Sequence, residues 1–183
     1  KNNAGATFVY VDASEGWQVF VDGSDADAQE SFMSATGGTI SCSGNFRIHT
    51  FTGPGTFAVS EVASNPANSK VDYVVVGGGG AGYIPDGGGG GAGGYRESPG
   101  TTTCYTASPL GASPATALPV GIANYPVTVG GGGASNSDGS SSTFTGTSTI
   151  TSAGGGRGGS YTNTGNTGGS GGGGGRDGGG PAA

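Results

Sequence analysis

Along the first 76 residues apolar and polar positions alternate in short runs bounded by turn-forming residues, as in half-buried antiparallel strands. Thr7–Val11 and Trp17–Val21 are β-branched and aromatic runs separated by five residues that include Ser14 and Gly16, a spacing that predicts a hairpin. Asp22–Asp27 then forms an acidic loop. It lacks the glycine and the distal glutamate that an EF-hand calcium loop requires, so it reads as a solvated turn. Strands are predicted over Gly38–Cys42, Asn45–Phe51 and Thr56–Val62, the last two divided by a Gly53-Pro54-Gly55 turn. Val71–Val76 is the most apolar run in the chain, short and β-branched, and predicts a central strand. Together these runs predict a small antiparallel β-sandwich. His49, between Ile48 and Thr50, reads as an exposed or hydrogen-bonded strand residue, since no second histidine and no nucleophile pattern accompanies it.

The pattern changes at Val76-Gly77. Residues 1–76 hold 18 of the 27 Leu, Ile, Val and Phe residues but only 8 of the 45 glycines, so the later part cannot build its interior from large side chains. The division predicts a hairpin module with an acidic loop over 1–34, antiparallel strands over 35–76 and a glycine-rich domain over 77–183. Glycine runs fall at 77–80, 87–91, 130–133, 154–156 and 171–175, without the strict every-third-residue period of collagen. A flexible linker would not need the residues between them: Tyr95-Arg96, Tyr125–Val129, Ser142–Phe144 and Thr149–Thr151 look like strands entering and leaving the tracts. Ordered polyglycine packs as left-handed extended helices of three residues per turn, close enough for backbone groups to bond between neighbours. The expected fold class is therefore all-β, essentially without α-helix: strand modules followed by a polyglycine-helix sandwich.

Composition narrows the function. Leu, Glu and Lys, which dominate good helices, are scarce, and no apolar stretch approaches the roughly 18 residues of a membrane span, so neither a helical bundle nor membrane insertion is expected. Six basic residues, none clustered, against twelve acidic ones give a net charge of −6, which argues against nucleic-acid binding. Cys42 and Cys104 allow one bridge, and with His49 they give no metal-ligand spacing, so no metal or cofactor is expected. No paired carboxylates and no nucleophile–base pattern point to an enzyme. The chain starts at Lys1 and stops at Gly180-Pro181-Ala182-Ala183, which reads as part of a longer or processed protein.

Val74-Val75-Val76-Gly77-Gly78-Gly79-Gly80-Ala81-Gly82 satisfies the dinucleotide-binding Gly-x-Gly-x-x-Gly pattern after a strand, with Glu97 twenty residues beyond Gly77. That motif works only if a helix opens at the last glycine and turns its amides to the pyrophosphate. Gly87–Gly91 lies where the helix would run, at a cost of about 1 kcal/mol per glycine, so the nucleotide reading fails. Recognition falls instead to the loops between glycine runs, because loops on a rigid scaffold carry binding side chains. Tyr83, Ile84, Asp86, Tyr105, Leu110 and Tyr161 occupy such loops and are the candidate receptor-contact residues; the alternative is that they cap the bundle and exclude water from its ends.

The succession Ala35–Ile40, Phe46–Thr52, Gly55–Phe57, Val71–Gly80, Gly90–Arg96 and Tyr125–Gly133 resembles the glycine-rich domains of tailed-bacteriophage fibre and virion-appendage proteins. Phe8–Asp12 with Gly16-Trp17 is similar to the short β-modules that precede them. The resemblance covers most of residues 7 to 175. It implies a structural virion protein, a tail fibre or tip adhesin, made in the host cytoplasm and carried on the particle. Its loops would touch a bacterial cell-surface receptor without chemistry, and it would sit beside other tail or capsid proteins, expected as a homo-oligomer. Two alternatives stand beside it: a capsid, neck or tail decoration protein without receptor binding, and an ice-binding protein using flat bundle faces.

Overall fold

The computed structural model describes residues 6–12, 16–21, 31–98 and 116–177. Among them the chain is all-β: antiparallel strands throughout, and a single 3-10 turn at Pro66–Asn68, opened by the Asn65 side chain accepting from the Ala67 amide. The expected N-terminal hairpin is present as β1 (Ala6–Asp12) and β2 (Gly16–Val21), paired from Ala6 opposite Val21 to Tyr10 opposite Trp17, with a register shift before Asp12. The predicted acidic loop at Asp22–Asp27 lies outside the described residues.

One five-stranded sheet draws on both sides of the compositional boundary. Its strands are β3 (Ser34–Thr36), β6 (Gly55–Glu61), β11 (Ala123–Thr128), β12 (Ser142–Thr145) and β13 (Thr149–Ser152), in the order β13-β12-β11-β6-β3. The period-two pattern puts two side chains of β6 and one of each other strand on the same face: Phe57 opposes Tyr125, Phe144 opposes Ile150, and Val59 opposes Ala35. These six, with Leu118 and Val120, form the buried apolar core. The Phe57, Tyr125 and Phe144 rings lie 6.1–6.3 Å apart in tilted and edge-on pairs, a preferred aromatic geometry. Tyr125 also fixes the bend before its own strand, its hydroxyl accepting from the Gly121 amide at 2.7 Å and donating to the Gly121 carbonyl at 3.0 Å. Pro126, which cannot donate to a ladder, falls where β11 pairs only with β6, one residue before the β12 register begins at Val127.

Three two-stranded pairs border the sheet: β4 (Thr39–Ser43) with β5 (Phe46–Thr50), β7 (Lys70–Val71) with β10 (Leu118–Pro119), and β8 (Val74–Val76) with β9 (Tyr95–Glu97). Two expectations fail here. Val71–Val76 is not one central strand but is broken between β7 and β8, because Tyr73 turns its amide to the Ser98 hydroxyl and its carbonyl to the Ser98 amide. Val74 and Val76 are consequently 63% and 52% exposed. The β4–β5 hairpin is likewise not half-buried: Ile40, Phe46 and Ile48 all face solvent, and His49 alone on it is partly covered, its Nδ1 2.8 Å from the Gly37 carbonyl oxygen and its ring edge-on to Phe57 at 5.0 Å. Cys42 sits exposed on β4, and Cys104 lies outside the described residues.

Beyond the strands the glycine tracts form extended rods bonded to one another every third residue. The amides of Gly77, Gly80 and Tyr83 donate to the carbonyls of Gly94, Gly91 and Gly88, and those of Gly88, Gly91 and Gly94 donate in turn to Gly159, Gly156 and Ala153. A three-residue bond period is that of the polyproline-type helix, and the positive-φ glycines among the described residues, Gly37, Gly38 and Gly44, all lie outside the rods. Rod 153–159 is the axis. Its Gly155 and Gly158 amides donate to Gly78 and Ala81, its Gly156 and Gly159 amides to Ser170 and Gly173, and its Arg157 and Gly154 carbonyls accept from Asn166 and Gly169. Rods 77–82, 87–94, 170–175, 163–169 and 137–141 thus surround it, and rod 130–134 bonds outside that ring through Gly133 to Gly79 and Ser140 to Gly131.

This packing decides which glycines are obligatory. A Cβ on Gly158 would overlap the Gly88 carbonyl oxygen, a backbone atom that has nowhere to move, whereas a Cβ on Gly89 would meet nothing within 4 Å. Gly158→Ala is therefore expected to lose about 3 kcal/mol or more through overpacking. Gly89→Ala is expected to gain about 0.5 kcal/mol by restricting the unfolded chain. Urea unfolding of the two variants checks this, and equal midpoints would contradict the rod packing.

Candidate functional site

The rods have a strand end and a free end. At the strand end β8 runs into Gly77, β9 leaves Gly94, and β13 runs into Ala153. The bend at 168–170 also lies at the strand end, beside Gly154 and Ala92, and the antiparallel bonds place the other turns together at the opposite end: Tyr83 joins Gly88, Gly88 joins Gly159, Gly159 joins Gly173, and Gly175 joins Asn163. The free end thus carries the turns 83–86, 134–137 and 160–163 and the stretch 175–177.

Backbone and side-chain hydrogen bonds hold the turns. In the first, the Gly87 amide donates to the Tyr83 carbonyl at 3.2 Å around a cis Ile84-Pro85 bond, and Asp86 adopts φ 55°, which short polar residues tolerate. Asn136, at φ 62° in the second turn, accepts the Ile84 amide on its Oδ1 at 2.8 Å and so ties the two turns together. In the third, the Asn163 amide donates to the Ser160 carbonyl at 2.9 Å and its side-chain amide to the Ser160 hydroxyl at 2.5 Å. These bonds satisfy backbone groups that a bare rod end would leave to water. The large apolar and aromatic side chains they leave outward are Ile84, 68% exposed, and Tyr161, 43% exposed.

Two arginines lie over the two tyrosines. The Arg157 guanidinium carbon is 5.8 Å from the Tyr83 ring centre, and that of Arg176 is 6.0 Å from the Tyr161 ring centre, both within cation–π range. Tyr161 is gripped further: its hydroxyl bonds the Asp177 carboxylate, which together with slight burial raises the phenol above its ordinary 10.0, and its carbonyl accepts the Asp177 amide at 3.0 Å. Arg176 and Asp177 thus both contact Tyr161, the guanidinium over its ring and the Asp177 amide on its carbonyl.

Of the six sequence candidates, Tyr83, Ile84, Asp86 and Tyr161 come to this one end, and Tyr105 and Leu110 lie outside the described residues. Sequence reading missed Asn136, Asp138, Arg157, Arg176 and Asp177. Two signals were available: Arg157 interrupts the glycine run of 154–159, and Arg176-Asp177 interrupts that of 171–180. Among the described residues no three His, Cys, Asp or Glu side chains gather as a metal-holding group, and no helix is long and apolar enough to cross a membrane.

The profile of a family described as a glycine-rich domain matches residues 50–183. The chain belongs to this glycine-rich domain family. The match starts at the last residue of β5 and takes in the five-stranded sheet except β3, all seven rods and every turn of the free end, so the family's territory includes the candidate site. Neither the curated proteins nor the solved structures gave a match.

One glycine-rich-domain feature is electrostatic. Asp138 closes the ring of rods where no backbone bond does: Oδ1 accepts the Arg157 amide at 2.7 Å and Oδ2 accepts from the Asn166 side chain at 3.0 Å. The Arg157 amide bond, then the Asn166 bond, holds its carboxyl below the ordinary 3.8. A depressed folded value means that the contribution is complete above 3.8 and is lost as pH falls through the folded value. Asp138→Asn, which keeps the accepting oxygen for Arg157 but no charge, is expected to melt below the parent at neutral pH, with the gap closing as pH drops from about 6 to about 2. Melting curves across that range check it; a constant gap would show that the charge at 138 is irrelevant.

Proposed function

We propose that this chain is a structural protein of a tailed-bacteriophage virion, a tail fibre or tip adhesin, whose rod end carries the turns that contact a bacterial cell-surface receptor. The observation that carries the reading is the polarity of the bundle: strands feed one end, while turns 83–86, 134–137 and 160–163 collect at the other with Ile84 and Tyr161 outward. A rigid backbone-bonded scaffold that gathers its turns at one end suits presentation of those turns to a surface. The ordered resemblance of its motifs to phage appendage domains supports the same reading. In it the protein acts without chemistry, on the virion, beside other tail or capsid proteins and in several copies.

Purified, fluorescently labelled chain is expected to bind saturably to cells of some bacterial strains in a diverse panel. Ile84→Asp, which puts a charge on the most exposed apolar side chain of the tip, is expected to weaken that binding about tenfold, or about 1.4 kcal/mol, without changing the melting temperature. Absence of saturable binding to any strain would favour a decoration protein on the capsid, neck or tail.

A further inference from the structure

The β8–β9 pair has an open edge. The Ser98 amide donates to the Tyr73 carbonyl at 3.0 Å and the Gly77 amide to the Gly94 carbonyl at 2.9 Å, on either side of a register that sets Val75 opposite Arg96. Antiparallel ladders alternate, so residues 73, 75 and 77 turn their backbone groups to β9, and Val74 and Val76 turn theirs away from it. No further strand pairs with β8, and no other described group bonds the amide or carbonyl of either valine. Two amides and two carbonyls therefore stand free along one edge. Val75 packs against the apolar core, so β8 meets the five-stranded sheet through its face and not through this edge.

The side chains here do not suit an edge left to water. Val74 is 63% and Val76 52% exposed, and Tyr95, directly opposite Val76, is 56% exposed. Soluble proteins guard sheet edges with lysine, proline, a bulge or a covering segment. β8 is Val74-Val75-Val76 and has no charge, no proline and no bulge, and no described segment covers it. Its one guard is its length of three residues.

β8 is also complementary to itself. A second copy, antiparallel about a two-fold axis at Val75, sets Val74 opposite the partner's Val76 and Val76 opposite the partner's Val74. All the free groups then pair, in four backbone bonds. A slip of two residues leaves half of them unmet. Tyr95, Val76 and the partner's Val74 form one cross-strand row, and Val74, the partner's Val76 and the partner's Tyr95 form the next, so exposed apolar side chains cover one another. Glu97 and the partner's Glu97 fall at opposite corners, three strand spacings or about 14 Å apart. That exceeds the roughly 8 Å over which surface charges act at physiological salt.

We infer that β8 is a joint between two copies of this chain, a two-fold antiparallel pairing that builds a four-stranded sheet with β9 at each outer edge. The inference deepens one part of the proposed function, assembly in several copies, and is independent of what the turns at the free end contact. Three residues bury far less than the about 800 Å² per partner of a standard complex, so the isolated pair is expected to be weak, with a dissociation constant of roughly 0.1 mM. Copies already held side by side would pair more completely.

Sedimentation velocity from about 0.01 to about 1 mM, with amide exchange followed by NMR at both limits, tests the joint. Expected is a monomer–dimer equilibrium in which the Val74 and Val76 amides exchange freely when dilute and are protected when concentrated. Val74→Lys, which faces a charge to the partner's Val76, should weaken the dimer about tenfold or more. Val74→Pro removes an outward donor but no β8–β9 bond, and should do the same, whereas Val74→Thr should retain most of the pairing. If Val74→Pro fails to fold, Val74→Lys carries the test. A monomer throughout the range, or a dimer indifferent to both variants, would overturn the joint. So would a dimer lost in Tyr95→Lys but kept in Val74→Pro, which would move the contact to the face, or a monomer with both valine amides already protected, which would give the edge to a segment of the same chain. Cell binding by a chain that stays monomeric would leave the adhesin reading standing without the joint, and dimerisation without binding to any strain would do the reverse.

Discussion

Amides of the glycine tracts donate, every third residue to a given neighbour, to carbonyls of the adjoining rods at 2.7–3.0 Å, and the organisation of the later part of the chain follows from that contact. A Cβ on Gly80 or Gly158 would overlap a carbonyl of the adjoining rod, so glycine is required at such positions, whereas Ala81, Ala153, Arg157 and Asn166 also bond between rods. Gly155, Gly156, Gly158 and Gly159 of the axial rod are buried without any side chain, the reverse of an ordinary core, in which burial belongs to large apolar groups. Ordering a glycine costs roughly 0.5–1 kcal/mol more than ordering alanine. One net backbone hydrogen bond contributes about the same. The balance therefore favours the ordered state only when rods are bonded on several sides, which is why an axial rod with five neighbours exists and why an isolated tract of the same composition would remain a linker.

The five-stranded sheet supplies what the rods lack. Phe57, Tyr125, Phe144 and Ile150 bury apolar surface of the usual kind, and β11, β12 and β13 extend from that core directly into or out of rods 130–134, 137–141 and 153–159. Registers fixed by side chains in the sheet are thereby imposed on rods that have no side chains to fix their own. The transition is made by serines. The Ser142 hydroxyl accepts the Gly130 amide at 2.9 Å where the ladder gives way to the bundle, and Ser152, opposite it in the sheet, is fully buried just before the axial rod begins. A small residue is required at both places because a neighbouring rod already lies alongside: a Cβ on Gly94 would stand 3.1 Å from the Ser152 hydroxyl oxygen.

Much of this was legible in the sequence, and the parts that were not share a cause. The β1–β2 hairpin follows from β-branched and aromatic runs a short turn apart, and the rods follow from glycine runs flanked by strand-forming residues, both local signals. Val71–Val76 misled because its apolar character is also local, whereas its break is set by Ser98, whose hydroxyl meets the Tyr73 amide at 3.0 Å and the Asp72 carboxylate at 2.8 Å from 25 and 26 residues away. The β4–β5 hairpin misled in the same way, since alternation shows that a strand can bury one face but not that a layer exists to cover it. At the free end, Tyr83, Ile84, Asp86 and Tyr161 were visible as large or charged residues in loops between glycine runs. Their gathering at one end was not, because it depends on the antiparallel order of rods that look alike in sequence.

The same limit explains why the polar residues of the tip were missed. Asn136, Asp138 and Asn166 have the composition of ordinary loop residues, and each acquires its role from a partner on a different rod or turn: the Ile84 amide, the Arg157 amide, and the Asp138 carboxylate. The amides of a rod with three residues per turn point along three edges: on the axial rod Gly155 and Gly158 meet rod 77–82, Gly156 and Gly159 meet rod 170–175, and the third edge is met by something other than a backbone carbonyl. Arg157 lies on that edge, so its amide is met by a carboxylate and its side chain is free to leave the bundle and reach Tyr83. The interruption of the glycine run is thus a geometric consequence of the ring's gap. It also couples closure of the bundle to the shape of its end, because the residue whose amide Asp138 accepts at the gap is the one whose guanidinium covers the tip's first aromatic ring.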